Sequence, residues 1–116
     1  MKTLLVVEDD RAIGAMLTQI LEDSYAVTLV EGTGAMPNGL GAALVITDLN
    51  VQGGYDSAAA VRTVRESRLR TGAPVLVLTA HGAAKADGEL ATVADAVLTK
   101  PFQLDELLAV VERLVV

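Results

Sequence analysis

Five short apolar runs punctuate this chain, each separated from the next by more residues than a hairpin turn needs. The runs are Thr3–Val7, Ala26–Val30, Ala43–Asp48, Val75–Ala80 and Ala96–Lys100. Each reads as a buried strand, and between them the apolar period changes to that of helices. Such alternation means an α/β fold, a parallel sheet covered by helices on both faces and joined by right-handed crossovers. The core residues agree, because apolar residues make up 52% of the chain but aromatics only 3%. An aliphatic core suits strands buried on both faces better than it suits an aromatic-rich β-sandwich.

The helical stretches are unequal. From Arg11, the residues Ile13, Met16, Leu17, Ile20 and Leu21 fall on one helical face, which predicts a helix ending near Asp23 and capped by Asp9 or Asp10. Ser57–Arg70 is a second clear helix, with Ser57 as expected N-cap and Val61, Val64 and Leu69 toward its inner side. Arg62, Arg65 and Arg68 repeat at a spacing that reads as a solvated face. A weaker, Ala-rich helix is expected over Ala84–Val93. The closing helix, Gln103–Val116, carries Leu104, Leu107, Leu108, Val111, Leu114 and Val115 on one side. Between Glu31 and Gly41, four glycines and a proline allow only a short or irregular second helix.

Several function classes drop out early. A net charge of −6 offers no basic footprint for nucleic acid and no attraction to an anionic membrane surface. The absence of cysteine removes disulfides and thiolate metal sites. No apolar run approaches the roughly 20 residues that span a bilayer, and Leu4–Val7 is too short for a signal peptide. The expectation is a single cytoplasmic domain over residues 1–116, with no internal repeat or linker.

In a sheet of this kind, ligands bind beyond the carboxyl ends of the strands. The first strand delivers Glu8 and Asp9 to that edge, the third Asp48, the fourth Thr79 and the fifth Lys100. Singly, each has an ordinary explanation as a cap, a loop contact or a solvated charge. Jointly, three carboxylates at one edge repel one another unless a cation sits among them. Oxygen ligands without sulfur or a second histidine suit Mg2+, which keeps waters for a phosphoryl group. A reaction centre follows, with Asp48 as the nucleophile that forms an acyl phosphate. The Lys100 ammonium and the Thr79 hydroxyl would bind the transferred oxygens, and positioning would supply most of the catalysis.

Four motifs carry a resemblance over essentially the whole chain: Leu4–Asp10, Leu44–Leu49, Val77–Ala80 and Leu98–Phe102. Together they resemble the receiver domain of two-component response regulators, with Lys100 lying 52 residues after Asp48. The resemblance implies a flavodoxin-like (βα)5 doubly wound sandwich of strand order 2-1-3-4-5. It implies that Asp48 takes a phosphoryl group from a histidine on a sensor histidine kinase or a histidine phosphotransfer protein. Glu8, Asp9 and Asp48, with the backbone carbonyl of Asn50, would hold Mg2+. Thr79 would be the switch hydroxyl, Lys100 the phosphate-contacting lysine, and Pro101 would follow a cis peptide bond. Asn50 and His81 fall where family members tune hydrolysis of the acyl phosphate, and Ala80 is small where space is needed beside the phosphoryl group. Such a domain is no enzyme in the usual sense, because it catalyses only its own phosphorylation and dephosphorylation before switching an unknown output partner.

The chain also departs from the family pattern. Val97 stands where receivers place a Tyr or Phe that swings inward, Gln52 replaces a common proline, and Tyr55-Asp56-Ser57 lacks the usual Asp-Gly. Tyr55 reads as a loop-packing residue. The first helix is where family members meet the kinase's helical bundle, yet its apolar stripe is accounted for by the core. Val110 and Val116 lie off the closing helix's main stripe and would add to a homodimer or partner surface on the face of the fourth and fifth helices. One competing reading is a pseudo-receiver that keeps the fold as a phosphorylation-independent interaction module. Another is a flavin-binding flavodoxin-like protein, disfavoured because Glu8-Asp9-Asp10 would repel a bare phosphate where that class needs a Ser/Thr/Gly loop.

Overall fold

A computed structural model describes residues 1–32, 37, 41–49 and 54–115. The expected irregular second helix falls mainly on residues outside that set, as do Asn50, Gln52 and Val116. The described elements run β1 (Thr3–Val7), α1 (Arg11–Leu21), β2 (Ala26–Val30), β3 (Leu44–Leu49), α2 (Ser57–Thr71), β4 (Val75–Thr79), α3 (Gly82–Lys85), α4 (Gly88–Val93), β5 (Ala96–Thr99) and α5 (Leu104–Leu114). All strand pairings are parallel, and the sheet order is β2-β1-β3-β4-β5, as the resemblance implied.

Strand alternation sorts the core into two layers. Leu4, Val6, Leu44, Ile46, Leu76, Leu78 and Leu98 meet α1 and α5 through Leu17, Leu21, Leu107 and Val111. Leu5, Val7, Val45, Leu49, Val75 and Val77 face the other way, onto Ala60 and Val64 of α2, Ala84 of α3 and Leu90 of α4. Gly14 lets α1 approach the edge strand, since a Cβ there would come 3.0 Å from Leu29 Cδ2.

The structure corrects several details. Asp56, not Ser57, caps α2, accepting from the Ala59 amide at 3.2 Å. Leu69 points outward, with 89% of its surface exposed, because the inner stripe of α2 is Ala60, Val61, Val64 and Ser67. Gly72 ends that helix in the left-handed region (φ 67°), where its amide bonds Arg68 O at 2.7 Å. The Ala-rich helix is two short pieces, because Asp87 ends one and caps the next through bonds to the Glu89 and Leu90 amides at 3.0 and 3.4 Å. Leu104 and Leu108 of α5 are exposed, leaving Leu107 and Val111 as its buried anchors. Met16 of α1 is also exposed, so the apolar stripe of that helix is not wholly absorbed by the core. Asp10, as one of the two expected candidates, caps α1 through the Ala12 and Ile13 amides.

One side chain joins three elements on the far side of β4. Asp95 Oδ2 accepts from the Val75 amide at 2.7 Å and from the Arg68 guanidinium at 2.5 Å. Arg68 Nε also donates to Val93 O at 2.7 Å. The ion pair is partly exposed and screened, so the amide bond is the larger contribution. Asp95→Ala is expected to cost about 1–2 kcal/mol in urea unfolding, and Asp95→Asn, which keeps an acceptor, about half of that. Equal losses in the two variants would assign the stabilisation to the ion pair instead.

Candidate functional site

The site assembles from strand register. Val7 pairs with Thr47 and Leu49 with Thr79, while Thr79 pairs with Thr99. The ladder runs one residue further at two places, where the Glu8 amide bonds Val30 O at 2.9 Å and the Lys100 amide bonds Thr79 O at 2.8 Å. Glu8, Asp48 and Lys100 therefore continue the alternation of Leu4 and Val6, of Leu44 and Ile46, and of Leu98. All three leave the sheet on the α1/α5 side. Thr79 continues Val75 and Val77 and leaves on the other.

The acids at this edge are out of water. The Asp48 side chain is 1% exposed and pairs through Oδ2 with Lys100 Nζ, whose side chain is 23% exposed. Among the described residues, Asp48 Oδ1 and Glu8 Oε1 are buried without a hydrogen-bond partner. The other Glu8 oxygen accepts from the Asp10 amide at 3.4 Å. Burial first, then the closeness of the Asp48 carboxylate and its charge, push the Glu8 carboxyl up to about 8; the Asp10 amide and Lys100 oppose the shift.

Two buried carboxyl groups, each with an oxygen that has no hydrogen-bond partner among the described residues, present a set of hard oxygen donors. A hard divalent cation fits that chemistry. Asp9 is exposed, and among the described residues no three carboxylate or histidine side chains gather into a metal-holding group. The expected acidic cluster is thus represented by Glu8 and Asp48, with Asn50 outside the described residues.

The Thr79 hydroxyl is fully buried and accepts from the His81 amide at 3.0 Å. Ala80 beside it is exposed. The Lys100–Pro101 peptide bond is cis, as expected. Beyond Lys100 an apolar cleft of about 230 Å3 opens between Ile13 and Met16 of α1 and Pro101 and Phe102. Sequence reasoning did not anticipate the bond from Tyr55 Oη to Asp87 Oδ2, 2.6 Å long and spanning 32 residues of chain. The only local signal for Asp87 was its place before Gly88-Glu89, a helix-start pattern.

The raised Glu8 pKa has a sign that can be tested. Relative to its ordinary value of 4.5, the folded domain holds its proton more tightly, so ionising Glu8 costs stability. In metal-free buffer, wild-type stability should fall as pH rises from 4.5 to about 8, and Glu8→Gln should lack that decline. The Tm of the variant minus that of wild type should therefore grow across this window. A constant difference in thermal melts would contradict the buried, protonated Glu8.

Comparison with known proteins places these features. The family model for the response regulator receiver domain matches residues 4–112. The transcriptional regulatory protein TcrA of Mycobacterium tuberculosis is 38% identical over 117 residues, which cover 91% of this chain and 43% of that protein. The chain thus spans less than half the length of the curated relatives it matches. The response regulator protein TrrA of Thermotoga maritima, solved in complex with Mg(2+)-BeF, superposes with a TM-score of 0.76 at 27% identity, covering 98% of this chain and 99% of that one. The chemotaxis response regulator CheY4 of Vibrio cholerae shares the fold, with a TM-score of 0.79 at 24% identity and 98% of both chains covered. No helix among the described residues is long and apolar enough to cross a membrane. Fold, motif positions and family match coincide: this chain belongs to the response regulator receiver domain family.

Proposed function

We propose that Asp48 accepts a phosphoryl group from a phosphohistidine of a sensor histidine kinase or histidine phosphotransfer protein, and that the phosphorylated domain switches an output partner. The observation that carries this reading is the Asp48 carboxylate itself, buried, paired with Lys100 on one oxygen and without a partner among the described residues on the other. A carboxylate kept this dry is a poor candidate for a solvated surface charge and a good nucleophile for a bound phosphoryl group.

In the forward step an Asp48 oxygen attacks phosphorus as the bond from phosphorus to the imidazole nitrogen breaks. That nitrogen recovers the bonding pair and takes up a proton, leaving neutral histidine and an acyl phosphate on Asp48. The Lys100 ammonium, paired with the carboxylate at rest, moves its charge onto the phosphoryl oxygens. Thr79 Oγ1 accepts from the His81 amide, which leaves its hydroxyl proton for another phosphoryl oxygen. Glu8 and Asp48, with Asp9 and the Asn50 carbonyl as the family pattern implies, would hold Mg2+, which supplies further charge neutralisation when bound. Attack of water on phosphorus later releases phosphate and restores Asp48. The domain acts only on its own acyl phosphate. The cleft at Ile13, Met16, Pro101 and Phe102 offers apolar surface beside Lys100 for a donor's helix. A cytoplasmic setting accords with a kinase as donor.

Incubation with a small phosphodonor and Mg2+ should add one phosphoryl group by intact-mass analysis, with no addition in chelator or in Asp48→Asn. Wild-type protein that binds Mg2+ yet gains no mass would leave a pseudo-receiver acting as an interaction module. Lys100→Ala should keep part of the phosphorylation while losing the structural response. An unaltered change in amide chemical shifts on phosphorylation of that variant would remove Lys100 from the switch.

A further inference from the structure

A run of side-chain contacts leads away from Thr79 across the α2/α4 layer of the molecule. The Thr79 hydroxyl holds the His81 amide at 3.0 Å. The His81 ring lies 6.4 Å from the Tyr55 ring, centroid to centroid, tilted by 41°. Tyr55 lies between β3 and α2, and its ring packs on the core layer containing Leu90. Its hydroxyl donates to Asp87 Oδ2 at 2.6 Å. The second oxygen of the same carboxylate, Oδ1, accepts from the Glu89 and Leu90 amides. One carboxylate thus divides its two oxygens between Tyr55 and the first turn of α4.

The division matters because α4 is weak. It has six residues, begins at Gly88, follows a four-residue helix, and buries one residue, Leu90. A helix this short has almost no stability of its own, so its cap and its anchor decide whether it stays formed. Tyr55 holds the cap residue in place from outside the helix. Burial, and after it the hydrogen bond to Asp87, also raise the Tyr55 phenol to about 12, so the donor keeps its proton through the physiological range.

We infer that the Tyr55–Asp87 bond is a latch that holds the first turn of α4 in the resting domain and transmits events at Thr79 to that helix. This rests on the phosphoacceptor reading for its trigger but not for the latch itself. If Thr79 Oγ1 turns toward a phosphoryl group on Asp48, it draws on the His81 amide or releases it, and either shift displaces the ring that leans on Tyr55. Loss of the Tyr55 bond leaves Asp87 with the Ser57 hydroxyl as its neighbour outside the helix, and loosens the restraint on the cap of α4. Transmission of this kind requires two arrangements of one short element, bond made and bond lost, and the exchange rate of α4 distinguishes them.

Two variants test the latch by different routes. Tyr55→Phe keeps the ring and removes the donor, while Asp87→Ser keeps a capping side chain for α4 but is too short to meet Tyr55. Amide hydrogen exchange should show each variant at rest exchanging about fivefold faster over Glu89–Val93, as loss of one hydrogen bond implies, with α5 unchanged. The double variant should be no faster than either single one. Phosphorylated wild type should reach the same rate, and phosphorylation of Tyr55→Phe should add nothing further. Unchanged exchange in both resting variants would remove the latch. An equal phosphorylation-induced increase in wild type and Tyr55→Phe would remove it from transmission. Should intact mass show no phosphoryl group on Asp48, the phosphoacceptor reading falls, and the resting comparison still decides whether the latch exists.

Discussion

Everything at this edge depends on keeping two carboxylates out of water with one ammonium between them and the solvent. Asp48 and Glu8 are both buried, and each has an oxygen that no described residue satisfies. Lys100 compensates part of the charge by pairing with Asp48, and Glu8 responds by retaining a proton well above the usual carboxylate range. Such an arrangement is unfavourable for folding alone, since buried charge is expensive unless fully paired. It becomes intelligible under the proposed phosphoacceptor role, in which a cation and a phosphoryl group would bind at this edge. The sheet sustains it because the surrounding strands are aliphatic and buried on both faces, and so rigidly placed.

The fold was legible because its strand signals are short, apolar and bounded by polar residues. Val75–Thr79, flanked by Pro74 and exposed Ala80, leaves little room for another reading. The site was legible for the same reason: a residue at the carboxyl end of a parallel strand has few places to go. Helix details were harder. Leu69 carries a side chain suited to a core, but it lies off the stripe of Ala60, Val64 and Ser67, where small residues seat α2 close to the sheet. Small residues give a weak periodic signal, so the larger Leu69 drew the eye. The break at Asp87 was hidden by the alanines around it, because Ala favours helix wherever it stands, while a capping aspartate acts only through geometry.

The contact between Tyr55 and Asp87 shows a different limit. Nothing local in Gly54-Tyr55-Asp56 points across 32 residues to a carboxylate in another loop. The partnership exists because the β3–α2 and β4–β5 connections leave the same end of the sheet, and topology brings them together. Val97, half-buried in the same layer, supplies no ring, and the aromatic side chain that is present there enters from Tyr55 instead.

The parity of the strands has one more consequence. Glu8, Asp48 and Lys100 lean toward the layer of α1 and α5, whereas Thr79 leans toward that of α2 and α4. The sheet separates these layers as a partition, so cavities cut into one have no shared packing with the other, and their costs to stability should sum. The edge that carries Glu8, Asp48, Thr79 and Lys100 is where the partition ends. Packing in either layer can therefore vary independently of the other, while both layers end at the same rim of the sheet.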